Sequence, residues 1–290
     1  MVTNAIIPLF EQRTDDDDTL RDPDRGIPIR AISRAIAVLQ AINRSGSLTM
    51  TNIAKGSCVP YPTACRIVQT LIHEGLIERE PDRKHYRPTA LVQTLSHGFQ
   101  GDGELIRVAR PYMAALTREV GWPLSLCTHV GSTMVLRDST HGLTSLTFNH
   151  YHPGFTMPML ACGAGLVHLA YCSDQEREII LEHIRLFEED DTRHMLELVR
   201  DGGLLETVRR SGHAARGYNR FTRNPGKTSS IAVPLLKGGG IVGTLTLAFF
   251  SSSIEMNEAI RQLLPRLKAC AATIGTTIEA GSNDVFVTDA

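Results

Sequence analysis

Val59-Pro60-Tyr61-Pro62-Thr63-Ala64-Cys65-Arg66-Ile67-Val68-Gln69-Thr70-Leu71 is the stretch on which the reading of this chain turns. Proline near its start suits the first turn of a helix, where no intrahelical N–H bond is lost. Ala64, Ile67, Val68 and Leu71 recur at three- and four-residue intervals, the stripe of a helix packed on one side. Gly75 stands where a helix terminator belongs. The spacing therefore predicts a helix from about Pro62 to His73. Tyr61, Thr63, Cys65, Arg66, Gln69 and Thr70 lie off the buried stripe.

Upstream, Ser33 is the expected N-cap of a helix carrying Ile36, Val38, Leu39 and Ile42, which ends near Ser45-Gly46. Thr49 is expected to cap a short second helix containing Ile53 and Ala54 and stopping at Gly56. Downstream, Leu76-Ile77-Glu78-Arg79 alternates apolar and polar residues, Pro81-Asp82-Arg83 supplies a turn, and His85-Tyr86-Arg87 returns. Three short helices followed by a small hairpin predict a winged helix-turn-helix over residues 28–89. Charge follows the same boundaries. From Pro28 to Pro88 nine basic residues face four acids, a net of +5, whereas the preceding tail has seven acids against three arginines. A basic block between an acidic tail and a nearly neutral remainder points to a polyanion partner.

The tail, residues 1–27, lacks periodicity and carries the run Asp15 to Asp18, so it reads as disordered. Residues 90–104 read as a linker helix, with Leu91, Val92 and Leu95 leading into Gly98, Gly101 and Gly103. A second domain is expected over 105–282, followed by a disordered tail at 283–290. It begins with an amphipathic helix, about Leu105 to Val120, interrupted near Pro111. Strand-like runs follow at Leu124–Val130, Thr133–Arg137 and Leu143–Phe148. Helices are expected near 163–171 and 174–187 and over the polar region 192–211. Strands Ser230–Leu235 and Gly243–Phe250 precede a last helix over Asn257–Glu279. The whole is α+β with an antiparallel sheet.

At 290 residues and 42% apolar content the chain has material for two cores. No stretch reaches the ~20 apolar residues of a membrane helix, and the N-terminus lacks signal-peptide order, so no membrane partner and a cytoplasmic location are expected. Six cysteines form no C-x-x-C pair and read as free thiols. His150 and His152 are too sparse a pair to imply a metal, and neither a metal site nor a cofactor is expected. Gly238-Gly239-Gly240-Ile241-Val242-Gly243 fits G-x-G-x-x-G, but a strand rather than a helix follows it, so it reads as a hairpin turn. Pro225-Gly226-Lys227-Thr228 resembles the end of a phosphate loop but has Phe221 where the earlier glycine is required. Cys162 beside Gly163 suggests a nucleophile at a helix start, yet no spacing identifies its base.

Val59–Leu71 with Gly75-Leu76-Ile77 resembles the recognition-helix signature of the IclR-type regulator family. The resemblance runs from about Ile29 to Ala280, through Leu160-Ala161-Cys162-Gly163-Ala164-Gly165, Gly217-Tyr218 and Ser230-Ile231-Ala232-Val233-Pro234-Leu235. Arg118–Pro123 and Arg137–His141 resemble the branch that activates catabolism of hydroxyphenylpropionate and related aromatic acids. The chain departs from the family at Asn219-Arg220-Phe221, where an acid is usual, and at Ser230, where a cysteine is usual; an Arg and a Phe there would suit an anionic aromatic ligand better. The resemblance implies a winged helix-turn-helix joined by a linker helix to a GAF-like effector domain. It further implies homodimers that pair into homotetramers, an operator in double-stranded DNA, and RNA polymerase as a partner if the protein activates.

For DNA, Arg66 is suited to a guanine edge, Gln69 to adenine and Thr63 to a phosphate; Tyr61, Pro62, Cys65 and Thr70 complete the expected surface. Arg83 and Lys84 at the wing tip suit phosphate or minor-groove contact. The plain alternative is a solvated helix face. The resemblance implies an effector pocket between the Gly163 helix and the late sheet, with the Gly163 and Ala164 amides, Cys162, Ser229, Ser230 and Thr246. Leu160, Phe148 and Phe221 are the expected apolar wall. Arg137 is an additional candidate, a strand-borne cation able to grip a small aromatic carboxylate; it could instead pair with Asp138. A second reading is a small-molecule-binding protein or enzyme whose N-terminal domain serves only dimerisation.

Overall fold

The computed structural model describes residues 29–96, 103–147, 151–187, 193–201, 203–216 and 227–284. The chain divides at Gln100/Gly101 into two compact units. The expected disordered tail, residues 1–27, lies outside the described residues, as do Phe148 and Phe221.

The first unit is built from α1 (Arg30–Ser45), β1 (Leu48–Thr49), α2 (Met50–Ser57), α3 (Tyr61–His73), β2 (Ile77–Arg79) and β3 (His85–Pro88). Helix α1 starts three residues before the expected cap, because Arg30 and Ala31 are themselves good helix formers and Ser33 fits within the first turn. Thr49 caps α2 by accepting the Asn52 N–H at 3.3 Å. That helix ends at Ser57 rather than Gly56, and Cys58 takes the left-handed conformation (φ 54°) that turns the chain toward α3. Gly75 closes α3 at φ 74°, and the Leu76 N–H reaches back to the Leu71 carbonyl. Val38, Ile42, Ile53, Val59, Ala64, Val68, Leu71 and Ile77 form one core. The sheet order is β1-β3-β2, so the two-residue β1 joins the expected hairpin as a third strand. Ala90–Ser96 is a 3-10 helix rather than the α-helix expected for the linker.

The second unit begins with α4 (Gly103–Val120), which runs through Pro111 without interruption. Pro111 lies on the exposed face of the helix, whose remaining bonds carry it past the one N–H that proline lacks. The sheet comprises β4 (Leu124–Val130), β5 (Thr133–Ser139), β6 (Thr156–Pro158), β7 (Ala214–Arg216), β8 (Thr228–Lys237) and β9 (Gly240–Phe250). Among the described residues its order is β6-β5-β4-β9-β8-β7, every neighbour antiparallel. Gly238 and Gly239, both at positive φ, close the β8–β9 hairpin. Leu143–Thr147 is not the expected strand. His141–Leu143 is a 3-10 turn, the Thr144 hydroxyl bonds the Gly121 carbonyl at 2.6 Å, and β6 takes the place beside β5.

Strand alternation divides the sheet into two faces. Leu124, Leu126, Ile231, Val233, Leu245, Leu247 and Phe249 pack against α4 and α9 (Met256–Asp284). Helix α9 thus extends past the expected end at Glu279 into the segment expected to be a tail. The opposite face, with Cys127, Leu136 and Ala232, packs under α5 (Gly163–Tyr171). Helices α6 (Asp174–Phe187), α7 (Arg193–Arg200) and α8 (Gly203–Ser211) contribute to the same core. Two close approaches need glycine. A Cβ on Gly275 would stand 2.4 Å from the Leu236 carbonyl oxygen, and one on Gly165 would stand 2.0 Å from that of Met159.

Candidate nucleic-acid interface and effector site

Helix α3 buries Ala64, Val68 and Leu71 and half-buries Ile67. Its other face carries Tyr61 (52% exposed) together with exposed Pro62, Arg66, Gln69 and Thr70, while Thr63 and Cys65 are half-buried. Cys65, one turn on from Tyr61, pushes the Tyr61 phenol up, so the ring stays a neutral donor. Thr70 donates its hydroxyl to the Arg66 carbonyl at 3.1 Å, which leaves it only acceptor capacity. Of the four acids among the described residues of this unit, two are engaged: Glu78 pairs with Arg87 at 2.7 Å and Glu80 accepts from Ser47 at 2.7 Å. Arg83 and Lys84 are exposed at the hairpin tip.

In the second unit, the head of α5 meets the sheet. Cys162 caps the helix, its sulfur accepting the Gly165 N–H at 3.3 Å. Burial pushes the Cys162 thiol up to about 11 and the neighbouring Cys127 thiol still higher. Cys162 is therefore a neutral thiol near pH 7, without the thiolate a nucleophile requires. Gly163 packs on β8 and β7: a Cβ there would be 3.4 Å from that of Ala232 and 3.6 Å from the Arg216 Cγ. Ala232 is flanked by Thr246 on β9 and Ala214 on β7, and Ser230 by Ala248 and Arg216. Thr246, Ser230 and Arg216 thus share the sheet face beneath the helix head. The Thr246 Oγ1 and Arg216 Nε atoms are buried with no hydrogen-bond partner among the described residues. The Arg216 guanidinium donates through Nη2 to the Leu160 carbonyl, and burial holds its pKa below the usual arginine value.

Several expected site residues are placed elsewhere. Ser229 lies on the opposite face, opposite Phe249, and bonds Ser251 at 2.9 Å. A one-residue step along a strand reverses the side chain. Arg137 sits at a bulge in the β4–β5 pairing, between Leu136 and Asp138. Asp138 pairs with Arg110 of α4 at 2.6 Å instead. Thr140 bonds Thr117 at 2.6 Å and the Leu124 N–H at 2.7 Å, so the 137–141 stretch anchors α4 to the sheet.

Residues 31–81 match the IclR helix-turn-helix domain family. The HTH-type transcriptional regulator TsaQ1/TsaQ2 of Comamonas testosteroni is 24% identical over 170 residues, covering 58% of this chain and 60% of that protein. The HTH-type transcriptional regulator BhcR of Paracoccus denitrificans is 28% identical over 220 residues, 73% of this chain and 74% of its own. A solved IclR homolog from Microbacterium hydrocarbonoxydans, complexed with 4-hydroxybenzoate, covers 86% of this chain and 99% of its own at a TM-score of 0.62 and 21% identity. The second unit accordingly shares the α+β fold of IclR structures. Both of these relatives are named as HTH-type transcriptional regulators.

Sequence reasoning missed Arg216. Its position follows from the three-residue strand β7 and its pairing with Ser230, too short a segment to announce itself by periodicity. No helix among the described residues is long and apolar enough to cross a membrane.

Proposed function

We propose that the protein is a cytoplasmic, ligand-responsive activator of an aromatic-acid catabolic operon. The observation that carries the DNA-binding half is the polar face of α3, presented with the cationic wing tip by a domain of IclR type. Arg66 and Gln69 read base edges; Tyr61, Pro62, Thr63, Cys65 and Thr70 fit the helix into the groove; Arg83 and Lys84 hold phosphates. The protein acts as a homodimer or homotetramer, and as an activator it contacts RNA polymerase. Ile29, which caps α1, and Ile32 and Ile36 within it form a stripe of helical spacing that is 64%, 54% and 52% exposed, which supports a second copy as its cover.

The ligand is a small aromatic carboxylate at the head of α5. A carboxylate there meets the Gly163 and Ala164 amides, Arg216, Thr246 and Ser230, with Cys162 as a neutral neighbour. Leu160, Phe148 and Phe221 are assigned the apolar wall. The 4-hydroxybenzoate held by the Microbacterium relative supports this class of ligand. Arg216 replaces Arg137 as the preferred carboxylate partner, because β7 pairs it with Ser230 and packs it against Gly163 at the helix head.

Thermal melting against 4-hydroxybenzoate, hydroxyphenylpropionates and phthalates tests the sensor. A ligand at ~100 times its Kd adds about 2.7 kcal/mol. We expect a hit whose affinity falls roughly ten-fold or more in Thr246→Val and Arg216→Gln, about the contribution of one charge-assisted hydrogen bond. A panel silent on folded protein rejects the aromatic assignment. For DNA, Arg66→Ala should cost about 1–3 kcal/mol on the operator, while Lys84→Ala weakens all sequences alike and lowers the salt slope by about one.

A further inference from the structure

On the α5 side of the sheet, away from the helix head, three ligand-bearing side chains from three elements converge. His129 is next to last in β4, His168 lies in the body of α5 with 5% exposure, and Glu176 is in the first turn of α6. The Glu176 Oε1 atom is 3.1 Å from His168 Nε2 and 3.4 Å from His129 Nδ1. One ligand atom from each residue lies within 4.8 Å of both others. The two imidazoles stack at a centroid distance of 4.6 Å and an interplanar angle of 27°.

The hydrogen bonding decides what this cluster accommodates. His129 Nε2 is 2.7 Å from the Gly131 carbonyl, an acceptor, so Nε2 carries the proton. The other ring nitrogen, Nδ1, faces Glu176 Oε1 at 3.4 Å, and His168 Nε2 faces the same oxygen at 3.1 Å, so potential ligand atoms from three separate elements converge on one small volume. A metal ion held between them takes an electron pair from each.

We infer that His129 Nδ1, His168 Nε2 and the Glu176 carboxylate form a binding site for a divalent first-row transition-metal ion. Ligand atoms around a tetrahedral zinc-class ion with bonds of ~2.0–2.1 Å stand about 3.3 Å apart, close to the two separations from the Glu176 oxygen. Two imidazoles select zinc, cobalt, nickel or iron over magnesium and calcium. The Gly131 carbonyl behind His129 supplies the outer hydrogen bond that fixes a ligand imidazole's tautomer. The remaining coordination position faces an open cavity of about 330 Å³ that Ser173, Gln175 and His183 also line, so a water or small anion completes the shell. This inference does not depend on the regulator reading.

The test uses the full chain, stripped with a chelator and titrated with Co²⁺ while visible absorption is followed, then with Zn²⁺. The expected result is one Co²⁺ per chain with the intense bands of a low-coordinate site, displaced by Zn²⁺ and untouched by millimolar Mg²⁺. Glu176→Gln and His129→Ala lie at the partly exposed rim of the cluster and leave buried His168 in place. Each should melt in chelator like the parent and bind Co²⁺ at least ~100-fold more weakly, above the 10–100-fold typical of an outer-shell change. Wild-type protein that binds neither ion, or a double variant that keeps the same affinity and spectrum, overturns the assignment.

Discussion

The Cys162 side chain shows how one position can suggest chemistry in sequence and exclude it in structure. A thiol at a helix start is normally acidified by the free amides, and here Gly165 does donate to it. Burial outweighs that bond and sets the titration near 11. A folded pKa above the unfolded value places the full contribution to stability below about pH 9, with loss as pH rises toward 11. Melting temperature should therefore decline above pH 9, with a slope of up to about 1.4 kcal/mol per pH unit for each such thiol. Iodoacetamide at pH 7.5 should leave Cys162 unlabelled in the native protein; rapid labelling would contradict the neutral thiol. Ser229 and Ser230 carry a related lesson. Both were legible as pocket candidates, but only the pairing with β9 tells which one faces α5.

At the level of elements, the helices and the β8–β9 hairpin were readable because their periodicities extend over many residues. The strands β1, β6 and β7 have two or three residues, too few for any period. Leu143–Phe148 alternates suitably for a strand, yet Thr144 bonds the Gly121 backbone, a partner that local pattern cannot reveal. The His129, His168 and Glu176 cluster was invisible for the same reason: a strand end, a helix body and a helix start separate its ligands along the chain. Close helix–sheet approach gives a test at this scale. Gly275→Ala forces a Cβ against the Leu236 carbonyl and should cost about 1–3 kcal/mol. Gly203→Ala, at the open start of α8, meets nothing within 4 Å and should be neutral or up to about 1 kcal/mol stabilising. Equal melting of the two variants would show that α9 can move off β8 freely.

For the whole molecule, the expectation of two domains came from length, the charge boundary and the change of pattern near residue 90; the structure divides into two compact units ten residues later, at Gln100/Gly101. An assembly was expected only through family resemblance, because an exposed stripe is seen as exposed only once α1 is folded. Ile32→Glu with Ile36→Glu places two charges on that stripe without touching Val38, Ala41 or Ile42. Sedimentation should report a smaller species and DNA titration a weaker complex. An unchanged assembly would move the interface elsewhere on the chain.

Every residue of α5 from Gly163 to Ala170 is buried. A helix enclosed on all sides cannot fray one turn at a time into solvent, so its interior amides exchange with deuterium only when the surrounding unit opens. A ligand that docks at the Gly163 end and makes the unit harder to open would slow exchange at Leu169 and Ala170 as well, about 9–10 Å further along the axis at 1.5 Å per residue. Those amides become a remote reporter, recording occupancy of the helix head without any label in the pocket.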